Sequence, residues 1–77
     1  MKTSETIKEF IARTRASHGT KVCVTGGMNP GTNGECTYKV QFKDDKLFYE
    51  ILADKNGNIV TLDAIYQGKR LNLRDNR

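Results

Sequence analysis

The sequence predicts an α+β domain: an N-terminal helix packed on one face of a four-stranded antiparallel meander sheet. Three observations predict it. Apolar residues near the N-terminus recur at helical spacing. Three later segments alternate apolar and polar residues. The turns between those segments, counted outward, give registers that agree across a shared middle strand.

Residues 3–17 read as the helix. Ile7, Phe10, Ile11 and Thr14 follow the i, i+3, i+4, i+7 spacing of one buried stripe. Thr3 or Ser4 supplies an N-cap hydroxyl, and Glu5 lies near the positive end of the helix dipole. Glu9 and Arg13 stand at i, i+4 on the wet side. His18-Gly19 is the stop, because glycine accepts the left-handed cap conformation.

Residues 21–25 read as a short strand. The run Gly26-Gly27-Met28-Asn29-Pro30-Gly31-Thr32-Asn33-Gly34 then breaks regular structure and reads as the longest flexible element in the chain. Residues 36–43, 47–54 and 59–66 read as three further strands, joined by Asp44-Asp45 and Asn56-Gly57. Asn-Gly between apolar alternations signals a two-residue type I′ hairpin. Counting outward pairs Phe42 with Leu47, Val40 with Tyr49, Tyr38 with Ile51 and Cys36 with Ala53. The second hairpin pairs Ala53 with Val60, Ile51 with Leu62, Tyr49 with Ala64 and Leu47 with Tyr66. Both put apolar residues on one face, and a one-residue slip would turn all of them to the other. Val22 and Val24 extend that face, and the helix stripe covers it. Cys23 and Cys36 then lie on opposite faces and cannot bridge.

The opposite, open face carries Lys39, Glu50 and Asp63 side by side. It also carries Phe48 opposite Ile65, with Leu52 beside Thr61, and Ile59. An apolar patch of this kind marks a contact surface. Phe48, Leu52 and Ile65, flanked by Lys39 and Lys43, are the candidate partner-binding residues. The patch is hidden instead if the basic tail, residues 67–77, folds back with Leu71 and Leu73.

Composition narrows the function classes. The chain has 77 residues, 36% hydrophobic and 29% charged, with net charge +4. A domain of this length buries only about 60% of the surface its unfolded chain exposes, so the thin core leaves little volume for a catalytic pocket. No apolar run approaches the ~18 residues a membrane span needs. Residues 1–10 are polar and lack the apolar centre of a secretory signal. The chain therefore reads as cytoplasmic, without a membrane partner.

No chemistry-bearing constellation emerges. Gly26 and Gly31 have P-loop spacing, but Thr32 stands where the lysine belongs and no helix follows. His18, Cys23 and Cys36 lack metal-ligand spacing. Asp44, Asp45 and Asp54 have turn duty. No cofactor, metal or catalytic residue is expected. The basic tail offers a second reading: Lys69, Arg70, Arg74 and Arg77 would contact nucleic-acid phosphates. Against it, the tyrosines that would stack on bases are assigned to the covered face.

Tyr38-Lys39-Val40-Gln41-Phe42, then Leu47-Phe48-Tyr49-Glu50-Ile51, then Asp54-Lys55-Asn56-Gly57-Asn58-Ile59-Val60, following a helix, resembles the PepSY-type domain. The matching features are strands of the form tyrosine-x-valine and an Asp-x-x-Gly-x-hydrophobic turn, over about residues 4–62. Members of that family are usually exported or membrane-linked, whereas no export signal is read here. The resemblance implies a binding or inhibitory module without catalytic residues. The size and style are also those of phage or mobile-element proteins that block a host enzyme or complex. The sequence thus points to a small non-enzymatic protein-binding module, an inhibitor or regulator. It is expected as a monomer or as a homodimer through the open sheet face, with a small basic nucleic-acid binder as the alternative.

Overall fold

The computed structural model describes residues 5–43 and 46–76. It contains a helix, α1 (Ile7–His18), and five strands: β1 (Val22–Met28), β2 (Cys36–Phe42), β3 (Leu47–Ala53), β4 (Ile59–Tyr66) and β5 (Lys69–Asp75). The strands form one antiparallel sheet in sequence order. The α+β architecture is as expected, but the strand count is not. The segment read as a basic tail forms a fifth strand.

The helix begins at Ile7 rather than Thr3, because Thr6 takes the cap. Its hydroxyl accepts from the Glu9 N–H at 3.1 Å, and Glu9 Oε1 accepts from the Thr6 N–H at 3.0 Å, a reciprocal capping box. Thr6 itself is extended and bridges Asn58. The Ile7 N–H donates to the Gly57 carbonyl at 2.7 Å and the Ile59 N–H donates to the Glu5 carbonyl at 3.0 Å. The expected caps Thr3 and Ser4 lie outside the described residues. Glu9 is thus committed to the cap, and Arg13 pairs with Glu5 instead of with Glu9. The helix ends at His18 on Gly19, whose N–H bonds the Arg15 carbonyl.

The expected stripe is the buried one. Ile7, Phe10 and Thr14 are buried, and the Thr14 hydroxyl is satisfied by the Phe10 carbonyl at 2.8 Å. Ile7 and Phe10 pack with Val22, Val40, Ile51, Ala53, Ile59 and Leu62, while Ile11, the remaining member of the stripe, is half-buried at the margin with Tyr38, Phe42 and Tyr49. Phe10 meets Tyr49 edge-on at 5.7 Å between ring centres, and Phe42 meets Tyr49 at 5.6 Å.

β1 extends through Gly26 and Gly27, residues expected in the loop. The reason is Tyr38, opposite Gly26 in the register. Its ring lies over the glycine so closely that a Cβ there would stand 2.5 Å from the ring. So close an approach leaves room only for a glycine within the strand. The remaining loop carries its own hydrogen bonds. The Asn29 N–H donates to the Glu35 carbonyl at 2.8 Å. Thr32 donates to the Asn29 carbonyl and accepts from the Glu35 N–H, and Thr37 donates to Asn29 Oδ1.

The β2–β3 register runs from Cys36↔Ala53 to Gln41↔Phe48, as counted from the sequence. Asp44 and Asp45 lie outside the described residues. Cys23, opposite Gln41, and Cys36, opposite Ala53, are on different faces and are free thiols.

The β3–β4 hairpin reaches the expected register by a different route. The loop is three residues, Lys55–Gly57, closed by the Asp54 N–H donating to the Asn58 carbonyl at 2.9 Å and the Gly57 N–H donating to the Asp54 carbonyl at 2.9 Å. Gly57 alone has positive φ, +83°, whereas a type I′ turn needs it at both central positions. Asp54 Oδ1 accepts from the Asn56 and Asn58 N–H groups, each at 2.9 Å, and this turn duty holds its carboxyl below the ordinary aspartate range. Ala53 therefore opposes Ile59 rather than Val60. Val60 is the extra residue of a bulge, and from Leu52↔Thr61 onward the expected pairs return. The bulge turns Ile59, expected on the open face, into the core, where it is 2% exposed.

The β4–β5 turn is Gln67-Gly68, with φ of +51° and +80° between the paired residues Tyr66 and Lys69. It is this turn that has positive φ at both central positions. A second bulge makes Leu73 the extra residue between Asn72, opposite Asp63, and Arg74, opposite Leu62.

Candidate functional site

The fifth strand changes both faces of the sheet. On the open face, Lys39, Glu50 and Asp63 stand in one row across β2, β3 and β4, as the sequence indicated. β5 adds Asn72 to the row. Arg70 Nη1 reaches Glu50 Oε1 at 2.9 Å and Asp63 Oδ2 at 2.6 Å. Asn72 Nδ2 donates to Asp63 Oδ1 at 2.7 Å. The bonds from Asn72 and then Arg70 hold the Asp63 carboxyl below its ordinary range.

This row crosses the sequence-derived partner patch. Lys39 places its ammonium 5.0 Å from the centre of the Phe48 ring, a cation–π contact. Phe48 and Leu52 are half-buried, and Lys43 is exposed. Ile65, opposite Phe48 on one side and Arg70 on the other, is only 9% exposed. Leu71 and Leu73 do not cover it as a folded-back tail would, since the chain lies beside β4 and not across the sheet.

The structure also distributes the candidate phosphate-binding cations. Arg70 is engaged by Glu50 and Asp63. Arg74 Nη1 bonds Glu5 Oε1 at 3.2 Å. Lys69 is exposed, and Arg77 lies outside the described residues. Glu5 is a three-way junction, because Arg13 donates to both of its oxygens at 3.1 Å. Hydrogen bonding by Arg13, ahead of the Arg74 contact, keeps the Glu5 carboxyl below the usual glutamate range. The carboxylate thereby ties the N-terminal segment to α1 and β5.

On the helix face the register places Leu71 beside Ala64, which opposes Tyr49. Tyr66 is two residues further along β4 on the same face. α1 meets Tyr49 through Phe10. Tyr66 is 49% exposed, Leu71 63% and Leu73 51%. Tyr66 and Leu71 stand near the β4–β5 turn on this face, and Leu73 lies further along β5, at the bulge between Asn72 and Arg74. They were not recognised as a surface because residues 67–77 were read as a tail. The alternating Leu71-x-Leu73 after a Gly-containing pair was the available signal.

Between the start of α1 and the β3–β4 turn lies an open groove of about 390 Å³, lined by Thr6, Ile7, Lys8, Tyr38, Lys55, Asn56 and Gly57. Its lining contains no carboxylate, histidine or thiol. Among the described residues no three His, Cys, Asp or Glu side chains come together as a metal set. No helix among them is long and apolar enough to cross a membrane. Comparison with known protein families, curated proteins and solved structures returns no match.

Proposed function

We propose that the chain is a small non-enzymatic protein-binding module of the cytoplasm, an inhibitor or regulator of another protein, and that it binds through the β4–β5 corner. The observation that carries this is the pair of exposed apolar side chains Tyr66 and Leu71 on one face beside the β4–β5 turn, with exposed Leu73 further along the same edge strand, each about half exposed or more. Apolar side chains grouped in this way on a small domain mark contact surfaces. Tyr66 supplies an aromatic anchor of the kind that interface centres favour. Resemblance to the PepSY-type domain, which implies a binding or inhibitory module, supports the same reading.

The open face is the weaker candidate. Lys39 already lies over the Phe48 ring, Ile65 is buried, and the Arg70 ion pairs with Glu50 and Asp63 cross the patch. A nucleic-acid reading loses Arg70 and Arg74 to Glu50, Asp63 and Glu5.

The test is affinity capture from host lysate with wild type, Leu71→Asp and Phe48→Asp, read by mass spectrometry. A partner held by wild type and Phe48→Asp but released by Leu71→Asp supports the proposal. Capture indifferent to Leu71→Asp, or a salt-sensitive gel shift with DNA or RNA in its place, overturns it.

A further inference from the structure

The two edges of the sheet are built differently. β5 is guarded as edge strands usually are. It carries Lys69, Arg70 and Arg74 and is broken by the Leu73 bulge. β1, at the other edge, reads Val22-Cys23-Val24-Thr25-Gly26-Gly27-Met28. It has no charge, no proline and no bulge, and its register with β2 is unbroken from Val22↔Phe42 to Met28↔Cys36.

Its free hydrogen-bonding groups can be placed. The Asn29 N–H donates to Glu35, and the Lys21 carbonyl accepts from Lys43. Hydrogen-bonded and non-bonded pairs alternate along an antiparallel ladder. The odd-numbered residues of β1 therefore turn their backbone groups to β2. Val24, Gly26 and Met28 turn theirs to the open edge. Thr25 and Met28 are exposed, Met28 at 70%.

We infer that β1 pairs antiparallel with β1 of a second copy, about a two-fold axis at Thr25, joining the two sheets into one. Thr25 is the midpoint of the strand, so this register overlaps its whole length. Val24 opposes the partner copy's Gly26, and Cys23 opposes its Gly27. The larger side chain meets a glycine each time: Cys23 faces open space at Gly27, and Val24 faces the Tyr38 ring that lies over Gly26. Val22 meets Met28, an apolar pair that covers exposed Met28. Thr25 meets Thr25, a favourable cross-strand pair. The partner is a copy, not an arbitrary basic protein, because the segment is uncharged within a chain of net charge +4. Two copies meet there without opposing like charges. The interface closes on itself, whereas β1 against β5 of the next copy would propagate a filament and meets the cations and the bulge. The inference is independent of the β4–β5 corner. It would present that corner twice in one particle.

Analytical ultracentrifugation tests it, using the full chain, Thr25→Lys, Thr25→Glu and an equimolar mixture of the two variants. Circular dichroism melts of each variant confirm folding, since the Thr25 side chain is exposed. The expected result is a wild-type dimer, self-association weakened at least about tenfold in each variant by like charges across the axis, and recovery of a dimer in the mixture. A wild type that stays monomeric at its highest soluble concentration overturns the inference. So do variants that still dimerise, or a mixture that remains monomeric.

Discussion

Ile59→Ala and Val60→Ala test the bulge that sets the helix-face core. Ile59 is 2% exposed and packs with Ile7, Ala53 and Leu62, whereas Val60 is half-buried. Shortening Ile59 to alanine removes three carbons from full burial, about 2.4 kcal/mol at about 0.8 per methylene. The space left behind raises the cost to about 3–4 kcal/mol. Shortening Val60 removes two carbons from partial burial and costs about 1 kcal/mol. A domain of 77 residues has only about 4–12 kcal/mol in total, so the first change consumes much of the margin. At about 4–8 °C per kcal/mol for this size, Ile59→Ala lowers Tm by about 15 °C or more, and Val60→Ala by about 4–8 °C. Urea and thermal melts followed by circular dichroism give both values. A plain two-residue Asn56-Gly57 turn would point Val60 inward and Ile59 outward, and the order would reverse. Equal losses, or a greater loss for Val60→Ala, refute the bulged register.

Three further outcomes are expected. Thr6→Ala removes the helix cap and costs about 1 kcal/mol by urea titration, while Thr6→Ser retains most of it. Gly26→Ala forces the Tyr38 ring aside and is destabilising by about 1–3 kcal/mol; in a double-mutant cycle with Tyr38→Val most of that cost disappears. Glu5→Gln costs about 1 kcal/mol at neutral pH, since Arg13 and Arg74 are partly solvated partners. The Glu5 pKa is depressed in the folded state, so its contribution is full above the unfolded value and is lost as pH falls through the folded value. The stability gap between wild type and Glu5→Gln therefore closes on acidification, and a gap constant with pH would show that the carboxylate charge is not what Arg13 and Arg74 hold.

The parts of this fold visible in the sequence are those where local pattern and tertiary packing agree. Tyr38, Val40, Ile51 and Ala53 alternate cleanly around a short turn, so the β2–β3 register could be counted. The burial of Ile7, Phe10 and Thr14 follows from their spacing alone. The cap Thr6-x-x-Glu9 was also legible, as a hydroxyl three residues before a glutamate at the start of the apolar stripe, although the earlier hydroxyls of Thr3 and Ser4 obscured it. The bulge at Val60 was not legible, because it depends on how a three-residue loop and the core compete for Ile59. β5 escaped for a different reason. Gln67 takes positive φ, a conformation associated with Gly, Asn and Asp, so Gln67-Gly68 gave no strong turn signal. With β5 unread, its effects were unread too: the seating of Arg70 on the open face and the exposed apolar side chains Tyr66, Leu71 and Leu73 along the β4–β5 edge.

The Glu5 junction bears on the order in which the molecule assembles. Each hairpin brings together neighbours in sequence, but the contact from Glu5 to Arg74 closes a loop of nearly the whole chain. Closing so long a loop is entropically dear until the intervening strands have shortened it. The meander is therefore formed first, and the first and last segments fasten onto it together. In hydrogen exchange their amides should open as one unit, ahead of the central strands.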